Sequence, residues 1–212
     1  MRIFQMIKVF PYSTDLIVNF EFSFFNSKNL DYPYLVIKEY KSIIGTPIMH
    51  FDEGSLLALI KDVVINSDTG KIEAFWVKPL TVPMFNAVIQ SQDIVEWKKN
   101  VYIKNDSVIT DPADIIRISD IMAKKTYVIG NRVQNEEGIY YGKVYSITFD
   151  TESFYLKQIY VQKSILGIIN YEQRIFSFDN IIEVTKDRII IKDEAVEKEE
   201  VVKTTLAEDP SA

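Results

Sequence analysis

The chain has 212 residues, enough for one large domain or two small ones. It contains no Cys and a single His, which excludes disulfides, thiolate nucleophiles, iron–sulfur clusters and Cys-type zinc sites. With 30 acidic against 24 basic residues its net charge is −6, so it has no global cationic excess to offer nucleic-acid phosphates.

Residues 1–34 form an aromatic-rich segment without glycine. Within it Asn19-Phe20-Glu21-Phe22-Ser23-Phe24 alternates with period two, the pattern of a strand. Three readings stay open: an added strand or docking arm, completion of a sheet of the following unit, or residues that are not native and precede a start near Leu35. Lys8, Pro11, Asp15 and Glu21 interrupt the apolar character, so no run of about 20 apolar residues marks a transmembrane helix. No small-residue cleavage site marks a signal peptide. The expected location is cytoplasmic.

Residues 35–110 read as a β unit. Ile48 and Met49 belong to an opening strand, Asp52-Glu53-Gly54 makes a turn, and Lys61–Asn66 is the next strand. Ser67-Asp68-Thr69-Gly70 is a hairpin turn, in which side chains bond the backbone and Gly takes a positive φ. Lys71–Lys78 returns and ends at Pro79, because proline cannot donate to a ladder. Strands are expected near Asn86–Ile89 and over Val101–Lys104, with a short strand or single turn at Ile94–Trp97. Residues 111–123 read as a connecting helix, with Asp111 as N-cap and Pro112 at its first position.

Residues 124–193 then repeat the first unit at an offset of 84 to 87 positions. Ile44-Gly45 corresponds to Ile129-Gly130 and Asp52-Glu53-Gly54 to Glu136-Glu137-Gly138. Ile72–Val77 corresponds to Leu156–Val161 and Ile94–Trp97 to Ile181–Val184. A longer insertion, Ser164–Glu172, replaces Leu80–Met84. Residues 194–212 hold six acids and read as a disordered acidic tail.

The elements Ile44-Gly45-Thr46-Pro47-Ile48, Asp52-Glu53-Gly54, Ile60–Asn66 and Asp68-Thr69-Gly70-Lys71-Ile72 resemble the PRC-barrel domain family, and Asp93-Ile94-Val95-Glu96 resembles its usual close. The resemblance spans Leu35–Asp193 as two tandem copies. The second copy departs at Glu152-Ser153, where the Asp-x-Thr-Gly turn is lost. The resemblance implies a mainly β fold: two small antiparallel barrels joined by a short helix. One such barrel alone buries too little surface to be very stable, so the two copies are expected to pack side by side as an internal pseudo-dimer. The same barrel occurs in the H subunit of photosynthetic reaction centres and in the C-terminal half of RimM-type ribosome maturation factors.

His50 has Asp52 two positions away, but no Gly-x-Ser-x-Gly or other nucleophile motif accompanies it, so no triad is expected. One His without Cys gives no transition-metal set. Asn66–Gly70 resembles a calcium loop, yet its closing acid would fall at Trp76, and a hairpin turn accounts for the residues. Asp52/Glu53 and Glu136/Glu137 occupy matching turns as solvated acids. Trp76 and Trp97 are expected in the core, and Tyr140, Tyr141 and Tyr155 are the candidate exposed aromatics. No catalytic, cofactor-binding or metal residues are assigned. The expected function is a non-enzymatic protein-binding adaptor or assembly module with an unknown protein partner. The alternatives are a ribosome-assembly or RNA-processing accessory, disfavoured by charge, and a membrane-complex accessory of the reaction-centre type.

Overall fold

The computed structural model describes residues 36–165 and 169–192. The strand expected within Asn19–Phe24 and the acidic tail lie outside the described residues. All of the described residues fall in one compact unit.

The fold is mainly β. It opens with β1 (Ile37–Glu39) and a single helical turn, α1 (Tyr40–Ile43). The first sheet follows: β2 (Pro47–His50), β3 (Leu56–Asn66), β4 (Lys71–Pro79), β5 (Ala87–Gln90), β6 (Ile94–Trp97) and β7 (Val101–Ile103). After α2 (Ile116–Lys124) comes the second: β8 (Arg132–Asn135), β9 (Tyr140–Asp150), β10 (Leu156–Ile165), β11 (Ile169–Ser177), β12 (Ile181–Val184) and β13 (Arg188–Ile191). The order β5-β4-β3-β2-β7-β6 in the first sheet, a curled half-barrel, maps element for element onto β11-β10-β9-β8-β13-β12 in the second. Neither sheet is purely antiparallel. In each, the last strand returns beside the first and pairs with it in parallel, β2 with β7 and β8 with β13.

Matching residues do matching work. Gly45 and Gly130 both sit at φ +83°, and each donates its N–H at 2.8 Å, to the Ile60 and Val144 carbonyls respectively. At the first hairpin the Gly70 N–H bonds the Asn66 carbonyl at 2.8 Å; at the second the Phe154 N–H bonds the Asp150 carbonyl at 2.8 Å. Gly70 has φ +71° and Phe154 φ +60°. The turn therefore survives loss of its glycine, with a phenylalanine held where a Cβ is disfavoured by about 1–2 kcal/mol. Burial supplies the compensation. Phe154 is 9% exposed and packs on Phe75 and Trp97, with ring centroids 6.0 and 6.4 Å away.

Phe75, Trp97, Phe149 and Phe154 form one aromatic knot drawn from both halves, with Phe75–Phe149 centroids 6.2 Å apart. The principal core is correspondingly continuous through both sheets, from Ile48, Ile60 and Ile103 to Val133, Ile147 and Ile191. Between the halves the Ile72 N–H donates to the Phe154 carbonyl at 2.8 Å, and the Leu156 N–H donates to the Gly70 carbonyl at 2.9 Å.

The segment leading into each half lies on the other half. β1 pairs with β9, setting Ile37 opposite Asp150 and Glu39 opposite Thr148, although the sequence places it in the unit 35–110. The Val36 carbonyl accepts from both the Thr151 N–H (2.7 Å) and hydroxyl (2.9 Å). In the matching place, α2 lays Ile118 and Ile121 against Val64, Ala74 and Val88 of the first sheet. There Ser67 bonds Thr126 at 2.7 Å and Lys124 pairs with Asp68 at 2.5 Å.

The connector also departs from expectation. Asp111 does accept an N–H, from Ala113 at 2.9 Å, but it caps a 3-10 turn, Pro112–Asp114, rather than the α-helix. Ile115 is extended at φ −113°, ψ 100°, so the helix begins only at Ile116. The insertion Ser164–Glu172 is not a loop on a fixed sheet: most of it lengthens β10 and β11 into a ribbon, with Lys163 opposite Glu172 and Ser164 opposite Asn170.

Candidate functional site

His50, the only histidine, ends β2 and caps the following turn. Its Nδ1 accepts the N–H groups of Asp52 and Glu53, both at 3.2 Å. Asn135, its counterpart at the end of β8, accepts the Ile139 N–H through Oδ1 at 2.7 Å. An amide replaces the imidazole in one half, so a side-chain acceptor is the common requirement. Asp52, Glu53, Glu136 and Glu137 are exposed turn residues. Among the described residues no cluster of three or more His, Cys, Asp or Glu could hold a metal ion.

Trp97 belongs to the aromatic knot, whereas Trp76 is half-buried beside the α2 contact. Tyr155 is exposed and Tyr140 is half-exposed, as the sequence suggested. Tyr141 is a correction. It is 6% exposed, stacks on Phe176 at 5.5 Å, and has the Arg174 guanidinium 4.7 Å from its ring centre. A register shift at Val133/Gln134 alters the simple alternation and turns Tyr141 inward.

The residues that sequence reasoning missed surround Tyr140. Arg132 and Lys143 lie directly opposite each other on β8 and β9, and Lys143 in turn faces Gln162 on β10. The Arg132 guanidinium stands 5.0 Å from the Tyr140 ring centre and the Lys163 ammonium 5.9 Å from it. Such cation–ring contacts contribute about 0.5–1 kcal/mol each at exposed sites. Along the same face, Tyr145 and Tyr160 meet edge to face at 6.1 Å, with Lys41 over Tyr145 at 4.6 Å. The first half carries Pro47, Leu56, Leu59 and Pro79 where the second carries Arg132, Tyr140, Lys143 and Lys163. A scaffold position that is apolar in one sheet is thus cationic and aromatic in the other. Like charges opposite each other in a sheet are destabilising, and neither Arg132 nor Lys143 forms a carboxylate ion pair among the described residues. The pattern was visible in the sequence only through the offset, which sets each cation against its apolar counterpart.

Two open clefts flank the junction of the halves. One, of about 730 Å³, lies between Thr69 at the first hairpin and Tyr155, Lys157, Phe178 and Asp179 of the second half. The other, of about 550 Å³, lies between Trp97 and Glu96 of the first half and Thr151 and Phe154 at the second hairpin.

Among the described residues three groups have displaced proton affinities. Burial, then the charge of Asp62 and a 3.0 Å hydrogen bond to it, push the Tyr40 phenol up to about 12. Burial raises Asp93, partly offset by a backbone hydrogen bond at Gln90. For Asp150, burial raises its pKa, but the N–H groups of Ser153 and Glu152, the Ser153 hydroxyl and Lys157 outweigh it and hold the carboxyl low. Tyr40 is thereby tied to Asp62 on β3, and Asp150 to the turn of the second hairpin.

Among the described residues no helix is long and apolar enough to cross a membrane. No curated protein matches the chain. The family model of the PRC-barrel domain matches residues 36–115, which takes in the first sheet and runs to the connector before α2. The chain therefore carries one PRC-barrel domain, at residues 36–115.

Proposed function

We propose that the protein is a non-enzymatic binding module in which residues 124–193 are a diverged second copy of the PRC-barrel domain, packed on the first as an internal pseudo-dimer. The copy reading is supported by the shared strand order and by the reciprocal bonds between positions 70–72 and 154–156. In this reading one copy keeps the scaffold and the other carries the contact surface. The observation that supports a binding role most directly is the Arg132–Lys143 cross-strand pair beside Tyr140 and Lys163, set where the first copy is apolar. Two cations held opposite each other weaken the free protein and gain when an anionic surface meets them. The partner we infer is a protein with an acidic segment. RNA would use cations and rings too, but Tyr140 is flanked by Arg132 and Lys163 and the chain as a whole is acidic.

The test is a crosslinking pull-down from native lysate with wild type and Arg132→Glu/Lys143→Glu, each with and without nuclease. The reading predicts a discrete, nuclease-resistant partner that the double variant loses while its circular dichroism stays unchanged. Capture that vanishes with nuclease, or that survives the charge reversal, overturns it.

A further inference from the structure

The outer edge of the first sheet is covered. The Val88 N–H donates to the Thr110 carbonyl at 2.9 Å, and the Thr110 N–H returns a bond to the Val88 carbonyl at 3.0 Å. The residue before Thr110, Ile109, is 4% exposed in the core. A short extended segment, anchored by one aliphatic side chain, thereby closes the edge strand β5.

The second sheet repeats the edge in the same register. Val88 faces Trp76 across β4–β5, and Ile175 faces Tyr160 across β10–β11. Ile175 therefore turns its N–H and C=O outward as Val88 does. Among the described residues β11 ends the sheet, and no bond to the Ile175 backbone from its outer side is present. The sequence differs at the matching positions. Ile103-Lys104-Asn105-Asp106-Ser107-Val108-Ile109-Thr110 aligns with Ile191-Lys192-Asp193-Glu194-Ala195-Val196-Glu197-Lys198. The anchoring position is Ile in one and Glu in the other, and an unpaired carboxylate cannot take the core place of an isoleucine without a large desolvation penalty.

We infer that the outer edge of β11 is a strand-addition site that accepts an extended segment of a partner protein, with an aliphatic residue where Ile109 sits on β5. Unpaired edge groups are a template for such addition, in which main-chain bonds give affinity and a side-chain pocket gives selectivity. The covered edge of the first sheet defines the occupant: antiparallel, bonded to the backbone of residue 175, and anchored one residue earlier. This rests on the adaptor reading above and specifies how the partner is held.

The probe is a synthetic peptide of residues 105–111 of this chain, added to the full-length protein, with amide exchange followed residue by residue. The expected result is that the Ile175 amide exchanges rapidly in the free protein and slows about tenfold with peptide. A peptide with Ile109→Glu should leave it unchanged. The full-length variant Glu197→Ile should protect Ile175 without peptide and block peptide binding. An Ile175 amide already as protected as that of Ile159 in the free wild type overturns the proposal, as does peptide that leaves Ile175 unaffected. If Glu197→Ile retains the natural partner while Arg132→Glu/Lys143→Glu loses it, the edge proposal fails and the adaptor reading stands. Loss in both variants supports both.

Discussion

Lys71 and Tyr155 face each other in an antiparallel bridge, though each holds the same place in its own half, 84 residues apart. Hydrogen bonds on either side of them repeat the relation, Ile72 to Phe154 and Leu156 to Gly70. Self-complementary contact of this kind is what a two-fold symmetric dimer makes, which supports the pseudo-dimer proposed above. The hairpin tips are where the symmetry is broken. A Cβ on Gly70 would come within 2.2 Å of the Phe178 ring, so the bulk lies opposite the tip in one case and on the tip, as Phe154, in the other.

Phe154 gives a prediction that inverts a familiar order. Truncation of a buried Phe to Ala removes about 3–5 kcal/mol of stability, and glycine is ordinarily worse still. At φ +60° the alanine Cβ remains strained while glycine is not. Phe154→Gly should therefore unfold at higher denaturant than Phe154→Ala, by about 1 kcal/mol. Equal or reversed midpoints would show that the backbone relaxes out of the left-handed region.

Gly142 supports a second comparison. Its φ is +134°, and an added Cβ would lie 2.2 Å from the Gln162 carbonyl oxygen, backbone that cannot swing aside. Gly142→Ala should cost roughly 2–4 kcal/mol through strain and overpacking. The matching residue in β3 is Ala58, fully buried. Ala58→Gly should cost only about 1 kcal/mol, and thermal melts of the two variants measure the contrast.

Asp150 makes the second hairpin sensitive to acid. Its pKa is lowered in the folded chain from an ordinary value of 3.8, so its contribution is present above that pH and is lost as pH falls through the folded value. Asn66 caps the first hairpin with the same geometry, its Oδ1 accepting the Asp68 N–H at 3.1 Å. Asp150→Asn should keep the turn and flatten the stability curve below pH 3.8. An unchanged acid limb in urea titrations at several pH values would refute the assignment.

Tyr40 acts at the other extreme. Its phenol is raised from an ordinary 10.0 to about 12 beside Asp62, so the protonated form is favoured in the folded state. Stability linked to it is complete below pH 10 and declines as pH rises toward 12. Near-ultraviolet titration of wild type against Tyr40→Phe should show one late-ionising tyrosine missing from the variant. A missing step near pH 10 instead would place Tyr40 in open solvent.

The sequence carried the strands, both hairpins and the offset between halves, because alternation and turn residues are local signals. Three features had no local signal. The pairing of Ile37–Glu39 with β9 depends on what lies more than a hundred residues downstream. The left-handed Phe154 violates the residue preference that identifies such turns. The burial of Tyr141 follows from a bulge in its strand pairing, which adjacent tyrosines cannot announce. The cationic face was legible only by comparison, since Arg132 and Lys143 look unremarkable until set against Pro47 and Leu59.

The exchange of leading segments also dictates when the molecule can be completed during synthesis. Glu39 accepts its hydrogen bond from Ser146, and Val36 accepts from Thr151, 107 and 115 positions later. When residues 36–115 have left the ribosome, β1 has no edge to join and the face of β3 and β4 has no α2 to cover it. That face stays open until α2 is made, and β1 stays unpaired until β9 is made. Closure of such distant contacts is slow, and a chain released before Asp150 would leave β1 unpaired and the second sheet unfinished.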